Sequence, residues 1–281
     1  EAIGETAGEI RVIGTPAEET DGAKVQMADA GIFDDVDLAF MFHSYAGESF
    51  ADYRALGIDG LEFTFTGQTS HSAASPWKGR SAQNGMLLFM DGLNMLRLHM
   101  HDYCRMHAII KEVRGAVNII PDLAVCQVET RAPDKAMLAG LTEAVINCAK
   151  SCAAAVNTEV SWKKFMKSFD SMLPNLAAEL LAEKTMAEYG VICTKNHLPT
   201  GSTDVGNVSY RCPAIQPELA ITEEKLDLHT RGFALATTSE EGHSALVKGA
   251  AIMADIALKV LTDQSLREDI RAEFESKISA L

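Results

Sequence analysis

Two carboxylates, Glu18 and Glu19, follow closely on a short apolar strand predicted over residues 9–14 (EIRVIG). Open α/β sheets gather their ligands at the carboxyl ends of the strands. Adjacent side chains there point in different directions, so one carboxylate can bind a metal while its neighbour faces a water molecule. A plainer role is also open to the pair, because acidic residues complement the positive end of a helix that follows them. His43 ends the next apolar run, LAFMFH at residues 38–43, 24 residues beyond Glu19. A glutamate and a histidine on one sheet edge supply the oxygen and nitrogen donors that zinc and manganese prefer. His229, in LDLHTRGF ahead of a long helix, is the third candidate donor.

These residues need elements to hold them. After the 9–14 strand the spacing predicts a helix from about Asp21 to Ala30, stopped at Gly31. The continuous apolar run at residues 38–43 reads as a strand buried on both faces of a parallel sheet. From residue 58 the pattern changes to strands at 58–66, 106–113, 122–131 and 158–165, with helices at 82–100 and 135–155. The order β-α-β-β-α-β is the ferredoxin-like, split-βαβ arrangement. Residues 58–165 therefore read as an inserted domain, and residues 1–57 and 166–281 as the interrupted α/β domain. In the second piece, helices are expected at 175–189, 243–263 and 264–281, with short strands within 190–217.

Composition narrows the chemistry. Lys and Arg number 25 against 39 Asp and Glu, a net charge of −14 with no basic stripe, which repels phosphate backbones and argues against nucleic acid. No apolar run approaches the roughly 18 residues of a membrane-spanning helix, and residues 1–8 (EAIGETAG) carry no basic-then-apolar leader pattern but read as the last turn of an element. Six cysteines without a C-x-x-C pair fit buried free thiols in a reducing, cytoplasmic setting. His99, His101, Asp102 and His243 read as loop or surface residues, and Met86, Met90 and Met95 as core packing at helical spacing. His107, on a strand, suits either a structural or a substrate-facing role.

In order along the chain, GTPAEETDGAK, FMFHS, FTGQTSHSAASPWKGRSAQN, VNIIPD, ETRAPD, GSTDVGNVSY and LHTRGF resemble the signature segments of the aminoacylase and carboxypeptidase G-like zinc metallopeptidases. The branch it most resembles holds the aminobenzoyl-glutamate hydrolases and the dipeptidases that cleave β-alanyl dipeptides. The resemblance implies an α/β zinc-peptidase-like catalytic domain interrupted by a ferredoxin-like lid and dimerisation domain. It implies two divalent ions, zinc or manganese, and hydrolysis of the amide bond of an N-acyl amino acid or small dipeptide by a homodimer joined through the inserted domain. Carried over by position, Glu18 becomes the general base and Glu19, His43 and His229 the metal ligands. His71 matches a histidine that reaches the active site of the partner chain and holds the oxyanion. Asn118 and Arg131 match substrate-binding lid residues, and Gly201, Ser202, Thr203 and Asp204 a loop near the cleft.

The chemistry suits these residue types, since a divalent ion lowers the pKa of bound water and a nearby carboxylate can relay its proton to the leaving nitrogen. One part of the pattern is missing. The family carries, upstream of its P-A-E-E strand, a His-x-Asp pair or a Cys and His that complete the metal site, and residues 1–15 offer none of them. The expectation is a piece of an active enzyme that alone binds metal weakly and is inactive. The competing expectation is a non-catalytic binding or assembly module that has kept the fold.

Overall fold

The computed structural model describes residues 8–195 and 199–281, so the reading of residues 1–7 lies outside the described residues. In chain order the elements are helix α1 (Ala23–Asp29), strands β1 (Ala39–Phe40), β2 (His43–Tyr45) and β3 (Gly57–Thr66), helix α2 (Ala82–Leu96), strands β4 (Arg105–Arg114) and β5 (Leu123–Ala132), helix α3 (Lys135–Ala155) and strand β6 (Glu159–Lys164). They continue with helices α4 (Leu176–Glu188) and α5 (Val205–Val208), strands β7 (Ala214–Ile215) and β8 (Glu218–Ala220), and helices α6 (Arg231–Ala236), α7 (Glu240–Thr262) and α8 (Gln264–Ser279). No helix among the described residues is long and apolar enough to cross a membrane.

The chain divides into two compact units. The first holds the described residues up to Glu18 together with Gly22–Ala55 and Met172–Leu281, and the second holds Leu56–Ser171 together with Glu19–Asp21.

In the first unit the strands pair in parallel, β1 with β7 and β2 with β8, bringing His43 opposite Glu218. The sequence run at residues 38–43 was expected to form one strand buried on both faces; it forms two short, half-buried pieces instead. The register explains the break. Residues 41 and 42 fall opposite 216 and 217, and Pro217 has no N–H to donate to a ladder. The strand expected at residues 9–14 is also absent: the segment pairs with no strand among the described residues, and Val12 is 98% exposed. A strand exists only where a neighbour takes its backbone hydrogen bonds. Arg11 instead forks onto Asp35 at 2.7 Å and reaches Glu9.

The core of this unit packs α4, α7 and α8 around Met186, Ile215, Ile252, Ile256 and Ile270. α4 is started by two side chains. Asn175 accepts from the Ala178 N–H, and Glu273 of α8 accepts from the N–H groups of Leu176 and Ala177 at 2.9 and 3.0 Å. Three of the N–H groups that a helix start leaves unpaired are thereby satisfied. The amphipathic tail helix is thus a structural part of this unit.

The second unit is an antiparallel four-stranded sheet in the order β4-β5-β3-β6, with α2 and α3 on one face. The strict alternation along β5 puts Ala124, Cys126, Val128, Thr130 and Ala132 inward. Phe63 and Phe65 of β3 meet Phe89 of α2 at centroid separations of 4.9 and 5.8 Å, and all three rings are fully buried. This is the β-α-β-β-α-β arrangement read from the sequence. α3 is capped by Asp134, whose carboxylate accepts from the Met137 N–H at 2.8 Å.

Candidate active site

The Glu18–Glu19 pair lies in a turn between the irregular residues 8–17 and α1. Glu18 is half-buried and Glu19 exposed. The turn is closed by the Gly22 N–H donating to the Ala17 carbonyl at 2.7 Å and by Ala23 N–H donating to Pro16 at 3.3 Å. Ala17, next to Glu18, holds φ at 63°, and His229 holds φ at 60°. Left-handed backbone is costly for a side chain with a Cβ and clusters at functional sites. Among the described non-glycine residues only Asn157 shares it, so two of the three positions are a candidate donor and the neighbour of the candidate base.

α1 is anchored directly behind this turn. Lys24 is buried and pairs with the fully buried Asp204, Nζ to Oδ1 at 2.7 Å, while the Lys24 N–H donates to Oδ2 at 3.1 Å. Asp204, in the GSTD loop, therefore fixes the Glu18 segment to the start of α5. Gly201 of the same loop has φ 61°, and a Cβ there would lie 2.8 Å from the Tyr53 hydroxyl, which donates to Thr200.

His43 is half-buried on β2, and its Nδ1 is 3.9 Å from Oε1 of Glu218 on β8. Glu218 is buried, and that burial pushes its carboxyl up to about 7. Burial first, then the negative charges of Glu218, Glu48 and Asp227, raises the Tyr45 hydroxyl above its ordinary range. Glu218 was not singled out from the sequence. Its signal was an acid inside the apolar run AIQPELAI, because an apolar stretch seldom buries a carboxylate without a task for it. His229 is exposed, just ahead of the α6 cap Thr230.

In the second unit His71 and Asn118 share one corner. The Ser72 N–H donates to the Asn118 carbonyl at 3.0 Å, and His71 bridges to Ile119. The His71 ring is exposed, and its Nδ1 accepts from the N–H groups of Ala73 and Ala74, both at 3.2 Å. With Nδ1 accepting, Nε2 is the ring nitrogen left to donate. Arg131 lies near the other end of β5, opposite Ile58, and its Nε donates to Glu129 at 2.8 Å. Eight residue steps along the strand separate it from Leu123, the end of β5 nearer Asn118, a distance of about 26 Å. The sheet thus keeps Arg131 apart from the His71 and Asn118 corner.

Glutamate oxygen and imidazole nitrogen suit zinc or manganese in chemistry. Among the described residues, however, no group of three or more His, Cys, Asp or Glu side chains gathers to hold a metal ion. The residues therefore fit such an ion in donor type, and the described residues alone do not gather a complete set of ligands.

The fold and the two-unit plan are those of peptidases with an inserted dimerisation domain. The family model described as a peptidase dimerisation domain matches residues 53–176. The chain is 32% identical over 280 residues to the human Xaa-Arg dipeptidase, covering 95% of this chain and 62% of that protein. It is 31% identical over 187 residues to one of the two p-aminobenzoyl-glutamate hydrolase chains of Escherichia coli, covering 65% of this chain and 38% of that protein. Among solved structures, an aminobenzoyl-glutamate utilization protein from Klebsiella pneumoniae superposes with a TM-score of 0.68 at 21% identity, over 87% of this chain and 60% of the other. A dinuclear metal-binding peptidase of the M20 family from Bacillus subtilis gives 0.65 at 19%, over 88% and 64%. The chain thus carries a peptidase dimerisation domain in its middle and is similar along nearly its whole length to a dipeptidase. It spans about three-fifths of the length of the human relative.

Proposed function

We propose that the protein of which this chain forms part is a metal-dependent amidohydrolase that cleaves the amide bond of a small dipeptide or N-acyl amino acid. The observation that carries this reading is the match to a dipeptidase along 95% of the chain, through both units. The relative acts on Xaa-Arg dipeptides, and the net charge of −14 suits a substrate with a basic end. Zinc or manganese, two ions in all, is the proposed cofactor, with Glu19, His43 and His229 as ligands from this chain; support comes from the neighbour described as dinuclear. When bound, such ions polarise the carbonyl and acidify water.

The chain's own residues have separate tasks in this reading. Glu18 takes the proton of the attacking water and passes it to the leaving nitrogen. His71 donates from Nε2 to the oxygen that becomes negative in the transition state. Asn118 and Arg131 hold the substrate. The separation along β5 favours two copies, one giving His71 and Asn118 and the other Arg131, so a homodimer through the inserted unit completes the site. Free thiols at all six cysteines support a cytoplasmic setting.

The test is Glu18→Gln in the full-length protein. We expect unchanged metal content and a turnover loss of about 10²–10⁴-fold. Near-normal turnover would remove Glu18 from the role.

A further inference from the structure

The pairing of β4 with β5 sets Arg105 opposite Arg131 and His107 opposite Glu129. Residues directly opposite on neighbouring strands point to the same face, their Cβ atoms about 4.5–5.5 Å apart. Ala124, Cys126, Val128, Thr130 and Ala132 of β5 take the inner face, so Glu129 and Arg131 stand on the outer one, and Arg105 and His107 stand there with them. Arg105 and His107 are exposed, and Arg131 is half-buried. In a chain of net charge −14, this end of the sheet gathers two arginines and a histidine around one acid.

Like charges directly opposite each other destabilise a strand pair. Glu129 offsets one of the two arginines, its carboxylate accepting from Nε of Arg131 at 2.8 Å. Arg105 is steadied differently. Its Nη1 donates to the carbonyls of Asp102 and Cys104, neutral groups that hold the side chain without cancelling its charge. On the β3 side the row has an apolar wall. Gly60 lies opposite Glu129, and a Cβ there would lie 2.6 Å from Met166 and 2.8 Å from Phe165. Those two side chains therefore take the space that a side chain at residue 60 would fill. A row of cationic N–H donors beside apolar surface suits a small carboxylate, whose two oxygens match the guanidinium fork.

We propose that Arg105 and His107 join Arg131 in binding the free α-carboxylate of the substrate, and that they decide between substrates with and without it. The assignment rests on the amide-hydrolysis reading and deepens it. A dipeptide and an N-acyl amino acid share one charged group whatever their side chains: a carboxylate on the residue whose nitrogen leaves. The row recognises that shared group.

The test compares a dipeptide with its C-terminal amide as substrates of the full-length, metal-loaded protein. We expect the parent to favour the free acid by about tenfold or more in kcat/KM, with the difference in KM. Arg105→Ala and His107→Ala should each shrink that preference, and the double variant should abolish it. Arg105→Lys, which keeps the charge but not the fork, should retain part of it. Melting curves that match the parent would show that lost recognition is not lost folding. If no dipeptide is cleaved, the hydrolytic reading fails on its own, and calorimetry then reads the row directly as binding of N-acetylalanine against N-acetylalaninamide. The parent should bind the acid about tenfold tighter or more, and the double variant should bind the two alike. In either assay, equal handling of acid and amide by the parent, or a preference left intact in the double variant, would overturn the assignment.

Discussion

Ala17 carries a backbone cost of about 1–2 kcal/mol by holding a left-handed φ that glycine adopts freely. That conformation stands directly before the Glu18–Glu19 turn. We expect Ala17→Gly to raise unfolding stability in urea by about 1 kcal/mol, because it relieves the strain at a position where glycine fits. A destabilised variant would mean that the Ala17 methyl is held by contacts worth more than the strain. At this scale the sequence offered its candidates where residue types announce chemistry: two adjacent carboxylates, a histidine ending an apolar run and another ahead of a long helix. It was silent on Glu218, whose meaning arises only when β8 lies against β2 and sets the acid opposite His43. Nor could it show that two backbone N–H groups donate to Nδ1 of His71, since the turn that aims them forms only in the fold.

Among the elements, α1 and α5 share a buried ion pair as well as apolar packing. Lys24 and Asp204 satisfy each other where water does not reach, so removing one partner leaves a bare charge in the interior. We expect Lys24→Met to cost about 3–5 kcal/mol. The double change Lys24→Met, Asp204→Leu should recover much of that loss in the same denaturation assay, because it removes the stranded carboxylate as well. Equal stability of Lys24→Met and the parent would show that the pair does not hold the turn in place. The period-two and helical patterns of the second unit were largely readable, because β5, α2 and α3 bury one face each against the same core. The first unit was less so. Its strands are two or three residues long, their partners lie far along the chain, and Pro217 interrupts the ladder from the opposite side. The 9–14 run shows the same limit from the other direction: its β-prone residues form no strand without a neighbour.

For the whole molecule, the distance between Arg131 and the His71 corner makes a dimer part of the proposed chemistry. Mixing Glu18→Gln and His71→Ala copies tests this. In a mixed dimer with shared sites, one site joins an intact Glu18 to an intact His71, so equal mixing should restore about a quarter of the parent activity. Sites built from one copy alone would restore none. The central claim, metal-dependent amide hydrolysis, is met most directly by measuring turnover of a panel of dipeptides and N-acyl amino acids by the full-length protein, before and after chelation. We expect cleavage that the chelator abolishes and zinc or manganese restores, strongest for dipeptides ending in a basic residue. Absence of cleavage across the panel with metal supplied, or cleavage indifferent to the chelator, would contradict it.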